Sequence, residues 1–226
     1  FDTEKKMFLG ELSLAGDIRR IKGTLPLVQE AKRLGFTEVY VPYDNSEEAA
    51  LVSGITIYGI KTLTELVKHL KGTEKLEPVP ETQIMFEQHE TSINFEDIRG
   101  QESAKRALEI AAAGGHNIAL SGPPGTGKTM LAKAFRGVLP PLSKDEMLQL
   151  TACYSVSGVL DEALVKRPPF RSPHHTASYV AVIGGGATPK PGEVTLAHRG
   201  VLFCDEFPEF DKRVIESLRQ PLEDKI

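Results

Sequence analysis

A glycine-rich run near the middle of the chain has the residue types that bind a triphosphate. From Gly122 to Thr129 it fits the pattern G-x-x-x-x-G-K-[ST] of a phosphate-binding loop. Glycines allow successive backbone N–H groups to point at one anion, and a helix N-terminus adds the positive end of its dipole. In such a loop Lys128 reaches the β- and γ-phosphates and the Thr129 hydroxyl binds magnesium. The predicted cofactors are therefore ATP and Mg²⁺. The positions predicted to contact the nucleotide are Gly122, Pro123, Pro124, Gly125, Thr126, Gly127, Lys128, Thr129 and Met130.

A pair of carboxylates follows a second apolar run. Residues 201–204 are continuously apolar, which is typical of a strand buried on both faces, and the run ends in Asp205 and Glu206. Asp205 is predicted to hold magnesium, usually through water, and Glu206 to polarise the attacking water. Such a pair is common by itself, but downstream of a phosphate loop it indicates ATP hydrolysis. Lys128 and Glu206 are thus the predicted catalytic residues.

These side chains need a strand before the loop and helices around it. Residues 118–120 are predicted to be that strand, and residues 130–135 a helix after the loop. A helix that ends near Ala113 is closed by Gly114-Gly115, and further helices are predicted over 143–150 and 212–222.

The first part of the chain reads as a small mixed α/β unit. Its periodicity predicts the following elements: a hairpin of residues 8–14 and 18–21, a helix from Leu25 to Gly35, strands over 38–41 and 56–60, a helical turn capped by Ser46, and a helix over 63–70 capped by Thr62. We therefore expect a domain over residues 1–71, a linker over 72–94 with one short strand at 84–86, and a second domain over 95–226.

Composition places few limits on function. The 226 residues carry a formal net charge of −4, so no overall basic charge indicates nucleic acid, although a local basic surface would suffice. Two cysteines are too few for a disulfide framework and favour a reducing, cytoplasmic setting. No apolar run approaches the roughly 20 residues of a membrane span.

Several strings of residues resemble one family of ATPases. FEDIRGQESAKRALEIAAAGGHN, GPPGTGKTMLAKA and VLFCDEFPEF are similar to AAA+ proteins. PPFRSPHHTAS, GGGATPKPGEVTLAHRGVLF and ESLRQPLED resemble the magnesium-chelatase-like branch, and most closely the ComM (YifB) competence family. The resemblance implies an α/β fold with a P-loop AAA+ core and a parallel sheet. It also implies that the backbone of Ile98, Arg99 and Gly100 contacts the adenine.

The first domain narrows the resemblance. GELSLAGDIRRIKGTLPLVQEAKRLGFTEVYVPYDNSEEAALV is similar to the C-terminal part of the Lon-protease-like domain that this family carries before its ATPase. The resemblance implies a hexameric motor that drives branch migration of DNA during recombination of incoming DNA. The alternatives are a chelatase-type ATPase that remodels a metal-inserting partner, and a nucleotide-gated protein-interaction module. A protease is disfavoured because Lys22 lies in a turn without the Gly-Gly-x-Lys run of a Lon-type site.

Other residues invite weaker hypotheses. In the family the stretch 155–192 includes an insertion that lines the central pore, which makes Arg171, His174 and Lys190 candidates for DNA-backbone contact. His174 and His175 lack further metal ligands at suitable spacing and are interpreted as loop residues. Gly184-Gly185-Gly186 is interpreted as a hairpin, and Arg219 as a surface arginine that could also face a neighbouring subunit.

The chain is expected to be a fragment. It begins without Met and stops at Ile226, before the positions where the family has its sensor asparagine, arginine finger and helical lid. An arginine finger can contribute 10³- to 10⁵-fold in rate. We therefore expect this chain to bind nucleotide weakly and to turn it over near background.

Overall fold

The computed structural model describes residues 3–84 and 93–224. Its contacts divide the chain into two compact units: a first unit of residues 3–84 with 147–165, and a second unit of residues 93–146 with 166–224. The strands are β1 (Lys6–Phe8), β2 (Glu11–Leu12), β3 (Ile18–Arg19), β4 (Glu38–Pro42), β5 (Thr56–Ile60), β6 (Phe170–Arg171), β7 (Gly184–Gly185), β8 (Lys190–Pro191) and β9 (Val201–Leu202). The helices are α1 (Thr24–Arg33), α2 (Ser46–Ala49), α3 (Leu63–Lys71), α4 (Glu102–Gly114), α5 (Lys128–Phe135), α6 (Lys144–Ser157), α7 (Tyr179–Ile183), α8 (Glu193–Leu196) and α9 (Lys212–Asp224).

The first unit is built on a parallel sheet in the order β1-β4-β5. The central strand β4 is almost wholly buried, and Val28 and Ala31 of α1 belong to the same core. The hairpin predicted over 8–14 and 18–21 is confirmed in part: β2 and β3 pair antiparallel around the turn at residues 15–17, but Phe8 belongs to β1 and pairs with β4. The strand predicted over 56–60 is also confirmed.

Helix starts in this unit follow local capping chemistry. The Glu65 N–H donates to Thr62 Oγ1 at 3.2 Å and the Thr62 N–H to Glu65 Oε2 at 3.3 Å, so the predicted Thr62 cap is confirmed as a capping box. The prediction that Ser46 caps a helix is wrong. Ser46 is the first residue of α2, and its hydroxyl donates to the Tyr43 carbonyl, because a 3₁₀ turn at Tyr43–Asn45 precedes the helix.

A chain of polar groups lies beside the sheet. The Lys6 ammonium and the Tyr40 hydroxyl both donate to Glu38 Oε2, at 2.6 and 2.7 Å. The Tyr40 ring is stacked between Phe8 and Tyr58, with centroid distances of 5.0 and 4.9 Å. Burial alone would raise the pKa of Glu38, but the two hydrogen bonds outweigh it and leave that pKa below its ordinary value.

A buried carboxylate ties residues 147–165 into the first unit. Glu48 is 4 % exposed, and its carboxylate accepts the Leu25 N–H at 2.8 Å, the Asn45 side-chain amide at 3.2 Å and the Ser155 hydroxyl at 2.5 Å. The Gly23 N–H also donates to the Ser155 carbonyl. These contacts involve α6 beyond the predicted helix end at residue 150, since the helix continues to Ser157.

The helices before and after the phosphate loop, α4 and α5, share a small apolar core. Leu108 and Ala111 of α4 pack with Leu131 of α5, and Leu120 lies at the edge of this cluster. The predicted end of α4 is confirmed, because Gly115 follows it in the left-handed region at φ 59°. The strand predicted at 118–120 is wrong: these residues belong to none of the described strands and have no ladder pairing among the described residues.

Strand β9 carries the chain to the carboxylates. It pairs parallel with β6, and the Val201 and Phe203 N–H groups donate to the carbonyls of Pro169 and Arg171 at 2.8 Å. The prediction of a strand over 201–204 is confirmed only in part, since β9 covers Val201–Leu202 and its residues are half-buried. A β-carbon at Gly200 would lie 2.1 Å from the Pro169 oxygen, so glycine permits this close pairing.

The other elements complete the unit. Strands β7 and β8 pair antiparallel, which confirms the hairpin predicted at the second glycine run. Helix α9 confirms the last predicted helix and buries Val214 and Leu218 against Val182 of α7. Of the strand predicted at 84–86, Ile84 is not in a strand, and the rest lies outside the described residues. Among described residues, no helix has the length and apolar character needed to cross a membrane.

Candidate functional site

The phosphate loop has the backbone conformation that its glycines predict. Gly122, Gly125 and Gly127 have φ values of 158°, 79° and 83°. A β-carbon at Gly125 or Gly127 would meet no atom within 4 Å, so the left-handed conformation rather than crowding requires glycine there. The loop ends where α5 begins at Lys128, which brings the N–H groups of a helix start to the loop.

Lys128 folds back over the loop. Its ammonium donates to the carbonyl oxygens of Gly122 and Pro123, both at 2.8 Å. The Thr126 hydroxyl donates to the same Pro123 oxygen at 2.9 Å, and the Gln101 amide donates to the Thr126 carbonyl at 3.3 Å. Neutral carbonyls bind an ammonium more weakly than phosphate oxygens do. Phosphate oxygens would therefore compete well with these carbonyls for the ammonium.

The two predicted magnesium ligands lie together. The Thr129 hydroxyl is 3.5 Å from Asp205 Oδ2, across 76 positions of sequence, and both residues are exposed. A hydroxyl and a carboxylate are the hard oxygen donors that Mg²⁺ binds, usually with waters and phosphate oxygens in its remaining positions. The residues present therefore fit the ion. When bound, magnesium would neutralise charge on the transferred phosphoryl group.

Glu206 is held in an unusual conformation. Its φ and ψ are 53° and 45°, in the left-handed region that side-chain-bearing residues seldom adopt. Its N–H donates to Asp205 Oδ1 at 3.1 Å, and its carbonyl accepts the Glu209 N–H at 2.8 Å. Its carboxylate Oε2 lies 3.2 Å from His175 Nδ1. No sequence motif joins these two residues, since 30 other residues separate them.

Cys204 immediately precedes Asp205 in the sequence, but its thiol is not a reactive thiolate. Burial raises the pKa of its thiol, which therefore stays protonated at neutral pH. Its side chain packs beside the cluster of Val182, Phe210 and Val214. Cys204, which follows β9, thus contributes to apolar packing rather than to metal binding.

The predicted adenine-contacting residues differ in exposure. Ile98 is 7 % exposed and packs with Leu108, so its side chain belongs to the apolar core. Gly100 is exposed and has φ 67°, which leaves its backbone open to a ligand. Met130 is 41 % exposed at the start of α5. The contact of the Ile98, Arg99 and Gly100 backbone with the base stays a prediction, as does the contact of Met130 with the nucleotide.

The residues predicted to contact DNA differ in their partners and exposure. Arg171 makes a two-point ion pair with Glu193, with N···O distances of 2.5 and 2.7 Å. His174 Nδ1 lies 2.8 Å from the Thr176 hydroxyl, while Lys190 and Arg219 are exposed. Among described residues, no group of three or more His, Cys, Asp or Glu side chains could hold a metal ion. His174 and His175 lie in the loop after β6, as predicted.

A phosphate loop that leads into a helix, with a threonine beside a strand-end aspartate, is the site of P-loop nucleotide-binding proteins. The family model described as "Magnesium chelatase, subunit ChlI" matches residues 94–226, and that described as "Subunit ChlI of Mg-chelatase" matches residues 1–45. The chain belongs to this family of AAA+ ATPases, and within it resembles the ComM and YifB proteins.

Individual relatives agree with this assignment. The competence protein ComM of Haemophilus influenzae is 46 % identical over 224 residues, which cover 96 % of this chain and 43 % of ComM. The YifB protein of Salmonella typhimurium is 45 % identical over 223 residues, covering 98 % of this chain and 44 % of YifB. Lon protease 2 of Bacillus subtilis is 31 % identical over 143 residues, covering 58 % of this chain and 25 % of the protease. The chain thus spans less than half the length of ComM and YifB.

Proposed function

We propose that this chain binds ATP with magnesium in the second unit and contributes the hydrolytic residues of an AAA+ motor. The observation that carries the proposal is the 3.5 Å approach of the Thr129 hydroxyl to Asp205 Oδ2. It brings the last residue of the phosphate loop to the end of β9, where both magnesium ligands of a P-loop hydrolase are needed.

The residues divide the work. Backbone N–H groups of the loop and Lys128 bind the phosphates, while Thr129 and Asp205 fit the metal ion. Glu206, next to Asp205, orients the attacking water and accepts its proton. Ile98 and Gly100 contact the base through their backbone.

We propose that DNA is the substrate on which the motor moves. The relative named competence protein ComM supports a role in the uptake or recombination of DNA, and we infer a hexamer that promotes branch migration in the cytoplasm. The partial likeness to Lon protease 2 supports a Lon-like origin for the first unit. Its Lys22 is exposed, and we propose a scaffold or DNA-binding role for this unit rather than proteolysis.

Two measurements test the proposal. Fluorescent ATP-analogue binding is measured on this chain, with and without Mg²⁺. Steady-state ATPase is measured on the protein at the full length of its curated relatives, with and without branched DNA. We expect magnesium-dependent binding, ATPase stimulated by branched DNA, and loss of turnover but not of binding in Glu206→Gln. A Glu206→Gln protein with normal turnover would contradict the assignment.

The family's printed name favours a second candidate, an ATPase that remodels a metal-inserting partner. Stimulation by a porphyrin-binding partner without any response to DNA would support it. A third reading, a nucleotide-gated interaction module, predicts that Glu206→Gln locks the protein in its active state. A motor instead loses function when it cannot hydrolyse ATP.

A further inference from the structure

The contact between His175 and Glu206 extends the site beyond the phosphate loop and β9. His175 Nδ1 lies 3.2 Å from Glu206 Oε2, and the side chains are 28 % and 65 % exposed. The histidine is thus the more enclosed partner. An exposed glutamate side chain has several rotamers, and a fixed partner reduces them.

The segment that carries His175 is itself fixed. From 171 to 177 the odd-numbered residues are half-buried and the even-numbered ones exposed, so the segment is two-sided and His175 faces inward. Ala177 packs beside the cluster of Val182, Phe210 and Val214, and its N–H donates to the His174 carbonyl at 2.9 Å. His175 is therefore presented from an anchored segment.

The backbone of Glu206 shows that its placement is constrained. Glu206 has φ 53°, a left-handed conformation that is unfavourable for a residue with a side chain, and such residues cluster at functional sites. The conformation is supported by the Asp205 Oδ1 contact, and it sends the carboxylate toward His175. When Nδ1 carries the proton, its N–H can donate to Oε2, and the other carboxylate oxygen remains able to accept a proton from water.

We propose that His175 is a positioning residue for hydrolysis: it orients the Glu206 carboxylate toward the attacking water. The inference rests on the proposed role of Glu206.

The test compares variants of the protein at the full length of its curated relatives, without DNA. His175→Ala is expected to lower kcat about 10-fold, because misplaced catalytic groups cost one to two powers of ten. KM and the affinity for a fluorescent ATP analogue should stay within about twofold. His175→Asn should retain most of the activity, since its amide N–H can lie near the position of Nδ1. Thr176→Ala, a change at the exposed neighbouring position, is the matched control and should turn over normally.

Three results would overturn the inference: an unchanged or higher kcat in His175→Ala, an equal loss in Thr176→Ala, or a loss that appears in nucleotide affinity rather than kcat. A double variant adds a second check, because His175→Ala should have no further effect in a Glu206→Gln protein. Normal turnover of Glu206→Gln would refute the proposed function. An inactive Glu206→Gln with a fully active His175→Ala would refute the positioning role alone.

Discussion

Thr129 and Asp205, separated by 76 positions in sequence, place a hydroxyl and a carboxylate oxygen 3.5 Å apart. Thr129 lies in the first turn of α5, and Asp205 follows the end of β9. Val201 of β9 packs beside the core that holds α5, so the approach depends on the packing of the second unit. Polar contacts in each of the two units predict how substitutions change nucleotide binding and stability.

Lys128→Ala is expected to weaken nucleotide binding roughly 10- to 100-fold, because a charge-assisted hydrogen bond contributes about 1.5–3 kcal/mol. Its present acceptors are backbone carbonyls of the loop, so thermal stability should change little. The measurement is titration with a fluorescent ATP analogue. Lys133→Ala, on an exposed position of the same helix, should bind normally. Equal losses in both variants would show a general effect of charge rather than a phosphate contact.

Glu48→Ala is expected to destabilise the first unit by about 3 kcal/mol. It removes the acceptor of the Leu25 N–H, the Asn45 amide and the Ser155 hydroxyl in a buried place. Ser155→Ala removes one of these bonds and should cost about 1 kcal/mol. Chemical denaturation followed by circular dichroism measures both. A Ser155→Ala protein as stable as wild type would show that the hydroxyl contributes nothing to the attachment of residues 147–165.

Arg171→Gln and Lys190→Gln should behave differently. Arg171 pairs with Glu193, so its loss should lower the melting temperature, by the equivalent of about 1 kcal/mol. Lys190 is exposed, so its loss should leave the melting temperature unchanged and weaken binding to DNA if the loop contacts phosphate. Thermal unfolding and a DNA-binding titration at fixed salt separate the two. Normal stability of Arg171→Gln would remove the structural role given to the ion pair.

The stability of the first unit should fall in acid because of Glu38. Its folded-state pKa lies below the ordinary value of 4.5, so its ionised form stabilises the fold above that pH. This contribution is lost as the pH drops through the lowered folded-state pKa. Glu38→Gln should therefore be less stable than wild type at pH 7, by about 1 kcal/mol, and should approach it below pH 4. Melting curves between pH 3 and pH 7 measure the difference. Parallel curves for the two proteins would contradict this prediction.

Local chemistry in the sequence predicts much of the fold. The Thr62 capping box, the glycine after α4 and the phosphate loop all depend on neighbours within a few positions, and each appears as expected. One failure is local, since the 3₁₀ turn at Tyr43–Asn45 displaces the Ser46 cap, and the others involve partners that are distant in sequence. A strand is defined by ladder hydrogen bonds to a partner strand, which the apolar run at 118–120 does not reveal, and nothing near Ser155 indicates its bond to Glu48.

The candidate site shows the same division. The phosphate-loop motif predicts Lys128 and Thr129 from local spacing, and its presence upstream makes Asp205 the predicted second magnesium ligand. The structure brings Thr129 and Asp205 together, while their roles stay predictions. His175 could not be predicted in this way. Its relation to Glu206 depends on how the loop after β6 returns to the end of β9, and no periodicity or motif reports that path.

The attachment of Ser155 to Glu48 also determines when the first unit can be completed during synthesis. During synthesis residues 3–84 leave the ribosome before residues 147–165, and domains generally fold as they emerge. Here the buried Glu48 must wait for its Ser155 partner until the phosphate loop has already left the ribosome. The first unit thus matures after the nucleotide-binding loop is made, although most of its residues precede that loop.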